Sequence, residues 1–408
     1  MKTLAIHPGP ITHLRTFVTE YSPEQFFFDA IAVSTILAEM GEIDFAGFAF
    51  RGWAWVIVLI LSVVFLIPNR RRKPIGWSWL VWLPWFVWMF EKTDFNNPTA
   101  VQRFFIFSTP VLALWVTQGF REVTIDMLRR SFRLLAVGSV ILYLLAAIQD
   151  GSRLAMVEWY SIAGIAMTFT LLAVEAMSGF VLNARKGLIL FGLYLLILLA
   201  TESRMPVILL PLLFLLGSRF RQPLLKPALS LFLVVGGLTL FYAEPVQENL
   251  FIRGYGSLAD AFSFNPEVIS LSGRLNAWPQ FIHNAEDIWF GDGAASSVEF
   301  GNVTFGGWSH PHNEYIRVLI DYGIVGMVLL SIPVVVMLYR LYRSRPDPVA
   351  DPQRRWFWST CFFGITAMLL LGISGNVLMY IAYIGNMLFA VIGCYWSSAP
   401  ESNRCASR

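Results

Sequence analysis

Apolar runs of roughly bilayer-spanning length recur along almost the whole chain. Twelve such segments are candidate membrane spans, and they lie near 26–40, 52–68, 75–90, 101–119, 132–149, 155–180, 187–200, 205–217, 226–243, 314–340, 356–374 and 377–396. A bilayer core requires about 20 apolar residues per helix, and charged residues make up only 14% of this chain. We therefore predict an all-α polytopic membrane protein with about twelve transmembrane helices. The first segment is the least apolar of them, because it contains Asp29 and Glu39.

Basic residues alternate between the loops on the two sides of these spans. Of the 30 Lys and Arg residues, 22 fall in one set of loops, which the excess of positive charge assigns to the cytoplasm. The other eight are Arg51, Lys92, Arg103, Arg153, Arg204, Arg253, Arg274 and Arg317. This alternation predicts that both termini are cytoplasmic. If the first segment does not cross, the N-terminus moves outside and every later loop keeps its side.

The same alternation divides the chain into three parts. Residues 1–243 hold the first nine predicted helices, and residues 314–408 hold the last three with a cytoplasmic tail. Between them, residues 244–313 form the longest interruption, which is predicted to be one large loop outside the cytoplasm.

Charge and cysteine content narrow the possible functions. The net charge of +3 comes from inner-loop basic residues that face anionic lipid, so the chain is not predicted to bind nucleic acid. The three cysteines are scattered without metal-binding spacing. A transporter or flippase would need a track of polar residues at mid-membrane depth, and Glu175 is the clearest candidate for such a position. One such residue is too few for a track, so the composition favours an enzyme acting at the outer face.

Two of the five histidines stand in one short segment, residues 309–327, SHPHNEYIRVLIDYGIVGM. Asn313 is a good N-cap for a helix that begins at Glu314. His312 is therefore expected just outside a helix N-terminus, where the positive end of the helix dipole is predicted to lower the imidazole pKa and keep the ring neutral. A neutral imidazole is suited to act as a general base. The alternative is a histidine that caps the helix or faces lipid headgroups, and that alternative is stronger for His310, which nothing orients.

The helix after Asn313 has two distinct faces. Glu314, Arg317 and Asp321 share one face and can neutralise one another. The opposite face carries a stripe whose small residues permit close helix packing, and it comprises Ile316, Leu319, Gly323 and Gly326.

Two arginines in the outer loops are candidate anion ligands. Arg204 ends a four-residue turn between two apolar helices, and Arg274 falls in a helix first turn, with Ser272 as the predicted N-cap. A cation is disfavoured at a helix N-terminus unless a bound anion lies between the guanidinium and the helix end. Arg253 is a third basic residue in these loops. The alternatives are lipid-facing side chains and surface ion pairs.

A competing site lies in the first outer loop. Glu42 and Asp44 in GEIDF, residues 41–45, are paired acids that could serve as a base or help to bind a hard cation. Two solvated acids at a helix end are the alternative.

The chain resembles the O-antigen ligase and polymerase superfamily of bacterial polysaccharide assembly. Three landmarks carry the resemblance: TESR at 201–204, SGRLNAW at 272–278 with FGDG at 290–293, and HPHNEYIRVLIDYGIVGM at 310–327. The resemblance implies a C-type glycosyltransferase fold with one large periplasmic loop in a bacterial inner membrane protein. It also implies a glycan donor linked to undecaprenyl pyrophosphate, with no metal and no cofactor.

The resemblance further implies the roles of individual residues. Arg204 and Arg274 would bind the pyrophosphate, and His312 would activate the acceptor hydroxyl. Arg253, Asn313 and Tyr315 are predicted substrate contacts. A ligase would transfer the glycan to a lipid A core or a protein, whereas a polymerase would join two lipid-linked repeats. The sequence leaves these two open, and a polysaccharide flippase or transporter remains the alternative outside the superfamily.

Overall fold

The computed structural model of the chain describes most of its predicted spans. The residues described are 22–41, 44–45, 48–67, 80–121, 123–150, 161–201, 204–217, 231, 235–239, 241–262, 265, 267–269, 274–305, 311–346, 351–373 and 381–397.

The described residues are mostly helical. The helices are α1 Pro23–Glu39, α2 Phe50–Leu66, α3 Leu83–Glu91, α4 Pro98–Gln118, α5 Ile125–Asp150, α6 Ile162–Gly179, α7 Ala184–Ala200, α8 Arg204–Gly217, α9 Glu244–Leu250, α10 Leu258–Phe262, α11 Arg274–His283, α12 Ser296–Phe305, α13 Glu314–Arg343, α14 Pro352–Leu371 and α15 Ile381–Ser397. Two short strands, β1 Asp44–Phe45 and β2 Phe48–Ala49, pair antiparallel between α1 and α2.

The helices follow the apolar pattern of the sequence closely. Each predicted span overlaps one of them except 226–243, half of which lies outside the described residues. Four helices of the described part are long and apolar enough to cross a membrane: Pro98–Gln118, Ile125–Ile148, Ile162–Gly179 and Glu314–Arg343. The protein is therefore a largely helical chain with several membrane-span candidates, while the number twelve stays a prediction.

The two acids of the first predicted span are buried against α5. Asp29 Oδ1 accepts hydrogen bonds from Ser131 Oγ (2.5 Å) and from Gln25 Nε2 (2.7 Å). Glu39 Oε1 accepts a hydrogen bond from Ser139 Oγ (2.8 Å). From the first contact to the second, the residue number rises in both helices, so α1 and α5 run parallel. The alternation of loops requires this parallel arrangement if the first segment is a full span.

The core of the bundle lies where α4 and α15 cross. A Cβ atom at Gly393 of α15 would lie 2.1 Å from Thr117 Oγ1 of α4, so the two helices approach closely because this residue has no side chain. Helix α6 is also central, since 83% of its most apolar window is buried. In contrast, only 22% of the corresponding window of α13 is buried, which places α13 at the periphery of the bundle.

The two ends of the bundle can be identified from hydrogen bonds between helix termini. At the end where α13 begins, Glu314 N donates to Gly372 O, just after α14 (2.8 Å). At the opposite end, the Tyr395 hydroxyl of α15 donates to Ser344 O, just after α13 (2.5 Å). Helices α13 and α14 are therefore antiparallel. We call the end that carries residues 311–314 the His312 end.

Charges separate along this axis. Three basic residues lie at the His312 end: Lys92, Arg103 and Arg317. The carbonyl oxygen of Lys92 accepts a hydrogen bond from Ala294 N (2.8 Å), and Arg103 and Arg317 are within electrostatic reach of each other. A second group lies at the opposite end and consists of Arg340, Arg343, Arg345, Arg354 and Arg355. This separation agrees with the alternation of basic residues along the sequence. The side of the membrane that each end faces stays a prediction.

Candidate functional site

His312 is held in an uncommon backbone conformation at the start of α13. Its φ angle is +50°, a left-handed value that few residues other than glycine adopt. Asn313 follows as the N-cap, and its Oδ1 accepts hydrogen bonds from Tyr315 N (3.0 Å) and Ile316 N (3.1 Å). His312 itself is half-buried. The predicted cap is therefore confirmed, and the imidazole stands immediately before a capped helix N-terminus.

The helix that begins at Arg274 is joined directly to this region. Trp278 lies one turn after Arg274, and its Nε1 donates a 2.7 Å hydrogen bond to the carbonyl oxygen of Pro311. Pro311 is buried and immediately precedes His312. The backbone of Arg274 is thus within about two helical turns of the histidine segment, although its side chain and Ser272 lie outside the described atoms.

Arg204 begins α8, and the directions of α15, α6 and α7 show at which end of the bundle α8 begins. Tyr395 marks the far end of α15, so Tyr383 in the first turn of α15 lies at the His312 end. The Tyr383 hydroxyl donates to Ala38 O (2.9 Å) and its ring packs on Gly164, so α6 begins at this end. Helices α6, α7 and α8 are joined by short connections and reverse direction each time. Arg204 therefore begins α8 at the His312 end, although its side chain is not among the described atoms.

The remaining candidates have distinct surroundings. Arg253 is exposed in the turn after α9. Tyr315 is 40% exposed, and its hydroxyl donates to Leu369 O (2.8 Å), so this group is engaged by α14. Of the competing pair, Glu42 and the side chain of Asp44 lie outside the described residues, and so does His310. In the part of the chain that is described, no group of three or more His, Cys, Asp or Glu side chains could hold a metal ion.

Helix α13 covers the predicted span 314–340, but it is not continuous. Its backbone breaks at Gly323, where φ is 71° and ψ is −177°. Residues 314–322 form a short first segment, and residues 324–343 form the longer second one. The break was missed because an isolated glycine in an apolar helical pattern is equally typical of close packing.

The backbone groups exposed by this break are paired by the loop between α11 and α12. Four hydrogen bonds join this loop to residues 320–325 of α13. They run from Asp292 N to Ile320 O (2.9 Å), Gly293 N to Asp321 O (3.1 Å), Ile324 N to Ile288 O (2.9 Å) and Val325 N to Trp289 O (3.1 Å). The indole Nε1 of Trp88 in α3 donates to Tyr322 O (2.9 Å) as well. Non-helical backbone at membrane depth is tolerated only where such partners exist. The FGDG turn, residues 290–293, therefore has a structural role in holding the break.

Four charged side chains are buried together where α13 meets α4. Arg317 is 1% exposed, and Arg103, Glu314 and Asp321 are each less than 7% exposed. Arg317 forms an ion pair with Glu314, which confirms the predicted neutralisation on this face. Asp321 Oδ1 accepts a hydrogen bond from Ser297 N at the start of α12 (2.9 Å). The burial of Arg103 was not expected, because its loop position predicted an external residue.

An apolar groove begins beside this cluster. Its volume is about 250 Å³, and aromatic and aliphatic side chains of α3, α4, α13, α14 and α15 line it. Along α13 its walls extend from Glu314 and Tyr315 to Val334 and Leu338. Among the described residues that line the groove, Glu314 is the only one with a charged side chain. The groove therefore joins a charged end near His312 to a long apolar passage.

Comparison with known proteins assigns a family to part of the chain. The family model described as O-antigen ligase matches residues 189–331, from α7 to the second segment of α13. A search of curated proteins finds no match. The matched segment contains Arg204, Arg253, Arg274 and His312, and it indicates a membrane enzyme of the ligase or polymerase kind. Residues 189–331 are therefore similar to the O-antigen ligase family, and this similarity agrees with the three sequence landmarks.

Proposed function

We propose that the chain is a membrane glycosyltransferase that takes its glycan from a lipid pyrophosphate carrier, undecaprenyl pyrophosphate, at the periplasmic face of a bacterial inner membrane. The observation that carries this proposal is the continuity between the groove and the His312 end. A lipid-linked glycan is apolar along its tail and charged at its pyrophosphate. The groove is apolar along α13 and reaches Glu314 and Tyr315, directly after His312 and Asn313.

In the proposed reaction, an acceptor hydroxyl attacks the anomeric carbon of the donor sugar. The new glycosidic bond forms while the bond from that carbon to the pyrophosphate oxygen breaks. His312 takes the hydroxyl proton, and general base catalysis of this kind contributes roughly 10²–10⁴-fold. Arg204 and Arg274 stabilise the negative charge on the leaving pyrophosphate, which is usually the largest catalytic contribution. Asn313, Tyr315 and Arg253 complete the proposed substrate contacts.

The proposed topology follows from the same assignment. Twelve helices of a C-type glycosyltransferase-like fold place both termini in the cytoplasm, and the loop 244–313 carries Arg253 and Arg274 on the periplasmic side. The separation of Lys92, Arg103 and Arg317 from the arginines beyond residue 339 supports this orientation. The division into 1–243, 244–313 and 314–408 is part of the proposal.

A flippase or transporter is the alternative class, and the buried polar groups disfavour it. Asp29 and Glu39 pair with serines of α5, and Glu175 forms a 3.8 Å ion pair with Arg129. These acids join neighbouring helices instead of lining a passage. The break at Gly323 has its backbone groups paired by residues 288–293, whereas the broken helices of transporters use such groups to bind substrate or ions.

The deciding experiment follows the product of purified protein in lipid nanodiscs. The donor is undecaprenyl pyrophosphate with a labelled glycan, offered with either a lipid A core or a second donor as acceptor. Label that moves to the lipid A core indicates a ligase, and label in a doubled glycan that stays on its carrier indicates a polymerase. If neither product forms, including with a protein acceptor, and vesicles instead show movement of donor between leaflets, the glycosyltransferase proposal is wrong. His312→Ala should abolish transfer, and His310→Ala should reduce it far less.

A further inference from the structure

The short first segment of α13 cannot hold its own position. It contains residues 314–322, which form two to three helical turns, and isolated helices of this length are marginal. The catalytic residue proposed above stands at its N-terminus. The position of His312 therefore depends on whatever fixes residues 314–322 to the rest of the bundle.

Buried charge joins this segment to α4, in addition to the hydrogen bonds described above. Arg317 points from the segment toward α4, where its guanidinium lies 5.4 Å from the centre of the Phe107 ring. Arg103, one turn before Phe107, is within electrostatic reach of Arg317, Glu314 and Asp321. The two guanidinium groups and two carboxylates balance in formal charge, so the cluster is complete only when α4 and the segment are together.

The cluster is poorly explained as a device for stability alone. Taking four ionisable side chains out of water is costly, and well-packed apolar side chains of the same size often serve a fold equally well. Arg317 Nη1 and Nη2 are buried and, among the described residues, have no hydrogen-bond acceptor, so its contact with Glu314 is an ion pair without ideal hydrogen-bond geometry. Such a cluster is sensitive to orientation, because a small shift of the segment separates opposite charges in a low-dielectric interior.

We propose that Arg317 and Arg103 are positioning residues for His312, holding residues 314–322 on α4 so that the imidazole stays aligned with the acceptor hydroxyl. This inference rests on the proposed function for its catalytic consequence. Neither guanidinium touches substrate in this arrangement, since both side chains are buried. They act through the segment, which carries the N-cap Asn313 and the histidine before it.

The test replaces Arg317 with methionine, which keeps most of the side-chain volume and removes the charge. Arg340→Met is the matched control, because Arg340 lies on the same helix and its guanidinium is 5.6 Å from the centre of the Trp396 ring at the opposite end. Misplacement of a catalytic group by about 1 Å reduces turnover about a hundredfold. We therefore expect Arg317→Met to lower kcat about a hundredfold with little change in KM for the donor, and Arg340→Met to keep both values.

Two further variants separate positioning from loss of folding. Arg317→Lys retains a charge near Glu314 and should recover part of kcat. Glu314→Gln combined with Arg317→Met should lose no more than Arg317→Met alone, because the two residues act as one unit. Additive losses in the double variant, or an Arg317→Met protein with normal kcat, would overturn the inference.

Hydrogen–deuterium exchange provides a readout that does not depend on transfer. Amides of residues 314–322 should exchange faster in Arg317→Met and in Arg103→Met than in the wild type, while those of α6 stay protected. Unchanged exchange in residues 314–322 would contradict the positioning role. If exchange changes as expected but the wild type shows no glycan transfer, the proposed function fails while the structural role of the cluster stands.

Discussion

Gly291 and Gly323 are in such close contact that neither position has room for a side chain. A Cβ atom at Gly291 would lie 2.4 Å from Gly323 N, and one at Gly323 would lie 2.3 Å from Trp289 O. Both residues have positive φ angles, +78° and +71°. This contact is where the loop after α11 meets the break in α13, so it joins the segment of Arg274 to the segment of His312.

Substitution at this contact should destabilise the protein strongly. Gly323→Ala combines a strained φ angle with a clash against backbone, and we expect a loss of about 3 kcal/mol or more. Gly192→Ala is the control, because nothing lies within 4 Å of its added Cβ atom in α7 and alanine favours a helix by about 0.5–1 kcal/mol. Thermal unfolding in detergent measures both. Equal melting temperatures for the two variants would show that the glycine contact does not constrain the fold.

Trp278 should matter for turnover through its hydrogen bond to Pro311. Trp278→Phe keeps an aromatic ring and removes the Nε1 donor, which leaves the buried Pro311 carbonyl without this partner. We expect a destabilisation of about 1–2 kcal/mol and a fall in kcat of about tenfold, because His312 is then held from one side only. Steady-state transfer assays measure this, with Trp289→Phe, an exposed tryptophan, as the control. Equal loss in both variants would indicate a general effect of removing an indole.

Removing either proposed pyrophosphate ligand should abolish transfer. Arg204→Ala and Arg274→Ala each remove a guanidinium that stabilises the leaving group, and we expect losses of about 10²–10³-fold in kcat. The matched control is Arg343→Ala, which removes an arginine at the opposite end of α13. Membrane fractionation checks that each variant is inserted normally. Wild-type turnover by either variant would remove that arginine from the mechanism.

Filling the groove should affect long-tailed donors selectively. Val334 lines the groove, so Val334→Trp should raise KM about tenfold for a donor with an undecaprenyl tail, because a blocked groove removes contacts along the tail without touching the reacting atoms. Ile332→Trp is the control, since Ile332 is 47% exposed on the same helix and is not part of the groove wall. A donor with a two-isoprene tail should be used equally by both variants. If Val334→Trp leaves the preference for long tails unchanged, the tail lies elsewhere.

Transfer should continue in the presence of EDTA. The proposed mechanism neutralises the pyrophosphate with two guanidinium groups, so no divalent cation is required for the leaving group. The measurement is the initial rate with EDTA and again after excess Mg²⁺ is restored. A strict requirement for Mg²⁺ would return Glu42 and Asp44 to consideration as a metal site.

Local patterns predicted much of this protein correctly. Hydropathy located the helices, and the Asn-Glu pair at 313–314 predicted a cap that the hydrogen bonds confirm. The spacing of Glu314 and Arg317 predicted their ion pair. Each of these features depends on residues within one or two helical turns, so the sequence contains all the information that they need.

The break at Gly323 and the burial of Arg103 could not be predicted in the same way. The sequence of residues 314–343 has the periodicity of one helix. The groups that pair with the break come from residues 288–293 and from Trp88. Likewise, Arg103 is buried because α4 faces the acids of α13. The residues near Arg103 in the sequence do not indicate that those acids lie beside it in the fold.

The sequence alone determined that this chain is helical and apolar, where its basic residues concentrate, and which segment caps the helix after His312, because hydrophobicity and capping act over a few neighbouring residues. Only the tertiary structure decided that α13 breaks, that four charges gather around Arg317, and that an apolar groove reaches the histidine segment. Those features depend on backbone and side-chain groups far apart in the chain, which become neighbours only when the helices pack.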